Sequence, residues 1–313
     1  MRSSRLARTV TLVAVALGIA CTACSNPANS AGPPPIDGLA GIDVPVDENA
    51  RAALPADIRT AGVVRVATDV PYAPFEMFES NGGSMIVGLD YDLGQALAKT
   101  LGVRFEFAQQ AFDGIIPAIQ ARKFDIVMSA MTDTKERQGV LDFVDYSVSG
   151  SGILVAKGNP HGITTLTDLC GRDVAVQSGS KQAKMLTGED NPCRAAGKPD
   201  PVVAQKPKDT DAQLALLSGQ VVADFMDKPA AGYAAKTAGD GKYFEVVHDP
   251  AAPGGIDATP NGIGVGKDRP ELTEAIRRAL QRLIDDGTYN KILAAWGETG
   301  IAIPKATINA GES

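Results

Sequence analysis

Phe124-Asp-Ile-Val-Met-Ser-Ala-Met-Thr-Asp-Thr-Lys-Glu-Arg137 runs from an apolar core segment into a hydroxyl-bearing loop and then into a helix start that carries an arginine. Ile126, Val127 and Met128 form the short apolar run of a buried strand, and Thr134 with Lys135, Glu136 and Arg137 reads as an N-cap and first turn. Loop amides and the hydroxyls of Ser129 and Thr132 can donate to an anion there. A helix N-terminus favours negative charge, and a guanidinium can grip a carboxylate with two parallel hydrogen bonds. The plain alternative is that Arg137 solvates a helix surface.

Working outward, short apolar runs alternate with helical patterns from Val63 onward, the order expected of an α/β fold with largely parallel sheets. Leu93, Leu97 and Leu101 fall on one helix face, with Gly102 as the C-cap. Val103, Phe105 and Phe107 alternate as a strand, Gly114 to Ala121 predicts a helix, and Asp125 to Ser129 the next strand. A second unit begins near Ser151, with strands at Ile153–Ala156, Val174–Val176 and Ala223–Met226 and helices over Thr210–Leu217 and Ala230–Lys236. Ile263 and Val265, then Leu272, Ile276, Leu280 and Leu283, return the chain to the first unit. Two crossings, near Tyr146–Gly152 and Gly254–Gly262, imply a hinge.

Four separated segments carry a family resemblance: Val63-Val-Arg-Val-Ala-Thr-Asp-Val-Pro-Tyr-Ala-Pro-Phe75, Gly88-Leu-Asp-Tyr-Asp-Leu93, Phe112-Asp-Gly-Ile-Ile-Pro-Ala-Ile119, and Asp286-Gly-Thr-Tyr-Asn-Lys-Ile292 with Trp296-Gly297. Together with the Arg137 segment they resemble the extracellular solute-binding proteins of amino-acid ABC importers, from about Leu54 to Gly297. The resemblance implies a bilobal periplasmic-binding-protein fold of type II, a Venus flytrap with two α/β lobes joined by a two-segment hinge. Residues 58–150 plus 258–300 form the first lobe, 151–257 the second, and 301–313 a C-terminal tail.

The resemblance also assigns roles. Arg137, helped by Thr132 and the backbone of Ser129 and Ala130, matches the carboxylate clamp. Asp227 matches the ammonium partner, its alternative being a helix N-cap. Tyr72 and Phe112 match the aromatics that sandwich the ligand side chain, although such residues are also common in plain core. Asp69 matches a position near the distal end of the side chain in relatives that bind polar or cationic amino acids, or it caps its own turn. Gln177-Ser-Gly-Ser-Lys-Gln182, with Gln177, Ser180 and Lys181 as ligand-binding candidates, occupies the site where a glycine followed by two small hydroxyl residues offers backbone donors to the ligand carboxylate, and Lys181 replaces the second of these. Either its side chain points to solvent or it adds a cation to the cleft. Val222 stands where an acid commonly precedes the strand alanine, and Asp224 is placed to take over that acid's structural role.

The first residues carry Arg2, Arg5 and Arg8, then an uncharged run from Val10 to Ala20, too short to span a bilayer. This predicts an export signal over 1–23 and a lipoprotein cysteine at Cys24, with Cys21 the alternative; an ordinary cleaved signal is the simpler possibility. Residues 24–57, with Pro33-Pro-Pro35, read as a flexible tether. In an exported chain disulfides persist, so Cys170 and Cys193 are expected to pair. The 313 residues carry a net charge of −7 that includes the three signal arginines, so cleavage takes it to −10 and argues against nucleic-acid binding.

The function these features predict is an extracytoplasmic receptor, monomeric and lipid-anchored to the outer face of the cytoplasmic membrane, that takes an amino acid to permease subunits served by a separate ATPase. No cofactor and no metal are expected, and no phosphate-binding loop is present in the sequence. The alternatives are an exported cyclohexadienyl dehydratase on the same fold, with Asp69 or Lys181 as nominal acids, and a ligand sensor for a kinase. His161 and His248 sit in turn-like sequence and offer no catalytic partner.

Overall fold

The computed structural model describes residues 39–80 and 82–312. The signal segment, Cys21 and Cys24 lie outside the described residues.

Strand β1 (Val63–Thr68) is followed by a small hairpin, β2 (Met77–Phe78) with β3 (Ile86–Val87), then by β4 (Arg104–Gln109), β5 (Ile126–Val127) and the long β6 (Leu141–Ala156). The second half contributes β7 (Asp173–Gln177), β8 (Val202–Lys206), β9 (Ala223–Asp227) and β10 (Phe244–Val246), and the chain returns through β11 (Ile256–Gly266) and β12 (Thr307–Ile308). In the first lobe β1 lies parallel to β4 and β5, β5 lies against β11, and β11 runs antiparallel to β6. Toward its C-terminal end β6 changes partners to β9 and β10, and β9 continues in parallel to β7 and on to β8. Two α/β lobes therefore share β6.

Apolar spacing explains the layers. Val64 and Val66 of β1 face Leu93, Leu97 and Leu101 of the helix Leu89–Leu101, which Gly102 ends in the left-handed region at φ 64°. Leu272, Ile276, Leu280 and Leu283 of Pro270–Asp285 close the same core. The second lobe buries Ile153, Val155, Val174, Val176 and Phe225. Each such side chain contributes roughly 1.5–3 kcal/mol by leaving water. The terminal helix Thr288–Trp296 is tied down by Tyr289, whose hydroxyl donates to the Tyr146 carbonyl at 2.7 Å, and by Trp296, whose Nε1 donates to Asp92 at 2.7 Å.

The two crossing segments run side by side, with Ser151 opposite Ile256 and Ser147 opposite Asn261. At their approach Gly150 packs backbone to backbone on Gly255, and a Cβ on Gly150 would fall 2.3 Å from the Gly255 carbonyl carbon. Only glycine fits there, and Gly255 sits at φ 101°, a conformation that side-chain-bearing residues rarely adopt.

Three expectations need correction. The tether does not reach residue 57, because helices form over Glu48–Ala52 and Ala56–Ala61; Asp47 caps the first by accepting from the Ala50 amide, and Ala50 and Leu54 enter the core. The C-terminal residues are no loose tail: β12 pairs with β6, and the Ala310 and Gly311 amides donate to Asp145 and Asp133. The strand expected over Asp125–Ser129 is cut to β5, and the helix expected from Gly114 begins as a tight turn at Phe112–Gly114 before Ile115–Gln120.

Cys170 and Cys193 are bonded, with Cα atoms 5.5 Å apart and a separation of 23 in sequence. Closing a loop of that size restricts the unfolded chain, so replacing both cysteines by serine is expected to cost about 2–4 kcal/mol. Denaturant unfolding of the two proteins side by side checks this, and coincident curves would contradict it.

Candidate functional site

Where the two lobes face each other, a small closed cavity of about 10 Å³ is lined by groups that include Tyr72, Phe112, Thr132, Arg137, Gln182 and Asp227. Arg137 reaches it from the short helix Lys135–Gln138, whose cap Thr134 accepts from the Arg137 amide at 3.3 Å. The guanidinium is buried: Nη1 donates to the Thr132 carbonyl at 2.7 Å, Nη2 donates to the Gly179 carbonyl of the other lobe at 3.0 Å, and the group lies 5.5 Å from the Phe112 ring centroid. Burial brings its pKa down to about 10, so it stays charged at neutral pH. Three of its five N–H donors remain beyond these two bonds.

Asp227 ends β9 at the N-cap position of the helix Lys228–Thr237, yet its side chain makes no capping bond. One carboxylate oxygen accepts from the Tyr72 hydroxyl at 2.9 Å and the other from Gln182 Nε2 at 3.0 Å, while the Asp227 amide donates to the Tyr72 oxygen at 3.1 Å. Burial raises its pKa, and Tyr72, Gln182, Arg137 and Lys181 oppose the rise. Tyr72 thus bridges the lobes, its ring stacked on Phe75.

Beneath the cavity the loop is held by acids that sequence reading passed over. Ser129 donates to Glu76 at 2.6 Å and accepts from the Asp69 amide at 3.0 Å. The Ala130 amide donates to Asp90 at 2.8 Å, with Ala130 held at φ 44°. The Ser129 hydroxyl and the Ala130 amide are therefore engaged by the protein itself instead of serving an anion, while both residues stand in the cavity wall. Asp69 is displaced from its expected place too. Gln177 Nε2 donates to it at 2.7 Å and the Phe112 amide at 3.3 Å, and Gln177, not Asp69, stands in the cavity wall. Burial pushes the Asp69 carboxyl up to about 6.

Ser180 caps the helix Lys181–Thr187 by accepting from the Ala183 amide at 3.0 Å. Lys181 does not point to solvent. It is buried in the wall, with its ammonium bonded to the Thr259 hydroxyl at 2.6 Å and paired with the Asp257 carboxylate at 2.8 Å, so it brings little net charge to the cavity. Gln182, Asp209, Phe225 and Met226 also line the cavity. Gln182 was within reach of sequence reasoning, being the next residue in the same helical turn as Lys181, whereas an acid in a first helical turn such as Asp209 has an ordinary structural explanation.

Fold and cavity together define a two-lobed solute-binding protein. The chain belongs to the bacterial extracellular solute-binding proteins, family 3, whose model matches residues 64–299. It is 32% identical over 261 residues to the arginine-binding protein ArgT of Corynebacterium glutamicum, spanning 83% of this chain and 82% of that protein. An ancestral arginine-binding protein bound to arginine is similar in structure, with a TM-score of 0.66 at 36% identity over 75% of this chain and 98% of that one. So is the ancestral amino acid-binding protein AncCDT-1, a precursor of cyclohexadienyl dehydratase, with a TM-score of 0.66 at 35% identity over 77% and 97%.

So many buried carboxylates set the pH response. Burial holds Asp69, Asp209, Asp227, Glu76 and Asp224 above the usual carboxylate range, with Asp69 near 6. A raised carboxyl binds its proton more tightly folded than unfolded, so its penalty is absent below the unfolded pKa and fully incurred above the folded one. Backbone N–H bonds from Thr164 and Thr165 hold Asp168 near 2, and Arg277 holds Glu274 near 2, so what these two add is lost only as pH falls toward that value. Ligand-free protein is expected to melt at a higher temperature near about pH 5.5 than near about pH 8. Calorimetric scans across that window check the sign, and a melting temperature that rises with pH would contradict it.

Proposed function

We propose that this chain is the receptor of an amino-acid ABC importer, exported under a signal over 1–23, anchored by a lipid on Cys24 and acting as a monomer. Residues 58–150 with 258–300 move as one lobe against 151–257, and the two close over an amino acid with a polar or cationic side chain. The observation that carries this reading is the burial of Arg137 and Asp227 in one cavity, the first offering N–H donors to a carboxylate and the second an acceptor to an ammonium. A zwitterion that meets Arg137 from one lobe and Asp227 from the other stabilises the closed arrangement over the open one, which is what lets a permease distinguish loaded from empty receptor. Tyr72 and Phe112 cover the ligand's apolar stem. Permease subunits and a separate ATPase supply the transport work.

A dehydratase is the second reading, favoured by the likeness to AncCDT-1. It needs a placed general acid. What supports binding over chemistry is that both nominal acids are engaged elsewhere, Lys181 with Asp257 and Asp69 behind Gln177.

Titration calorimetry with the amino acids, run on the wild type and on Arg137→Ala, tests the reading. Binding of a cationic or polar amino acid by the wild type is expected, with loss of about 100-fold or more in a variant that still melts cooperatively. Unchanged affinity in Arg137→Ala would overturn the clamp, and no amino-acid binding combined with turnover of prephenate would move the chain to the enzyme class.

A further inference from the structure

Asp209 is a carboxylate in the cavity wall with no ion-pair partner among the described residues. It opens the helix Asp209–Leu217 after Lys208, and it is 2% exposed. One oxygen accepts from Gln213 Nε2 at 2.7 Å, one turn along the same helix. The other has no hydrogen-bond partner among the described residues. Asp69, Asp224 and Asp227 are the charged groups that bear on it, and all are acids. The nearby cations are occupied. Lys181 pairs with Asp257, Lys208 donates to the Val70 carbonyl at 2.6 Å, and Arg137 holds the Thr132 and Gly179 carbonyls. A buried anion left without a partner is unfavourable, and a cation delivered into the cavity would relieve it. A cap role explains little here, because the carboxylate turns to Gln213 instead of the helix amides.

From this placement we infer that Asp209 is the specificity-determining residue for the ligand's side chain, pairing with a guanidinium or ammonium that enters the cavity it lines. This rests on the proposed amino-acid binding and deepens it to a preference for dibasic amino acids. The chemistry is a charge-assisted hydrogen bond in a water-poor site, where a neutral group of the same shape gains much less.

L-Arginine and its neutral isostere L-citrulline separate charge from shape. Calorimetry is run with both ligands on the full mature protein, as wild type and as Asp209→Asn. The wild type is expected to prefer arginine over citrulline by about 10-fold or more. In Asp209→Asn arginine affinity is expected to fall about 10- to 100-fold while citrulline affinity stays within about threefold, so the preference collapses. A variant that keeps the wild-type ratio overturns the role of Asp209, and so does a wild type that binds citrulline as tightly as arginine; both leave the amino-acid receptor reading standing. A wild type that binds no amino acid overturns both. If Asp209→Asn does not melt cooperatively, the same ratio is read on Asp209→Ser.

Discussion

Burying a guanidinium and a carboxylate in the same closed cleft is the constraint on which the structure of this protein depends. Either charge alone in such a place is costly, and the pair is tolerable only with further hydrogen bonds. Those bonds come from both lobes. The Thr132 and Gly179 carbonyls hold Arg137, while Tyr72 and Gln182 hold Asp227. Because Gly179 and Gln182 belong to the second lobe and Thr132 and Tyr72 to the first, satisfying the charges and bringing the lobes together are one event. Lys184 with Glu136, and Lys208 with the Val70 carbonyl, add contacts across the same opening.

A rigid base makes this possible. Glu76, Ser129 and the Asp69 amide form a chain of bonds under the clamp loop, and Asp90 fixes the Ala130 amide beside it. From the other side the C-terminal segment straps the start of the clamp helix: Gln138 donates to Asp133 at 2.9 Å and to the Gly311 carbonyl at 2.8 Å. The shared strands β6 and β11 join the two lobes, with Gly150 and Gly255 in contact at the crossing.

Much of this was legible in the chain because strand ends and helix starts announce themselves. Thr134 before Arg137, Asp227 after an apolar strand, and Tyr72 beyond β1 were each readable from residue type and position. What escaped was direction. Whether Asp69 or Gln177 forms the wall depends on how β7 is set against the loop after β1, and a local pattern carries no such information. An acid in a first helical turn, as Asp209 is, has an ordinary explanation in the helix dipole and gives no sign of a site. Lys181 had two plausible courses, and the outcome hung on Asp257, 76 residues away in sequence. The short helix after Asp47 and the strap near Gly311 lacked the length for a periodic signal.

The orientation of a bound amino acid tests the central claim most directly. A crystal structure of the complex with L-arginine is predicted to place the α-carboxylate within hydrogen-bond distance of Arg137 and the α-ammonium within hydrogen-bond distance of Asp227, with both lobes in contact. A ligand bound in the reverse sense, or outside the cavity between the lobes, would contradict it.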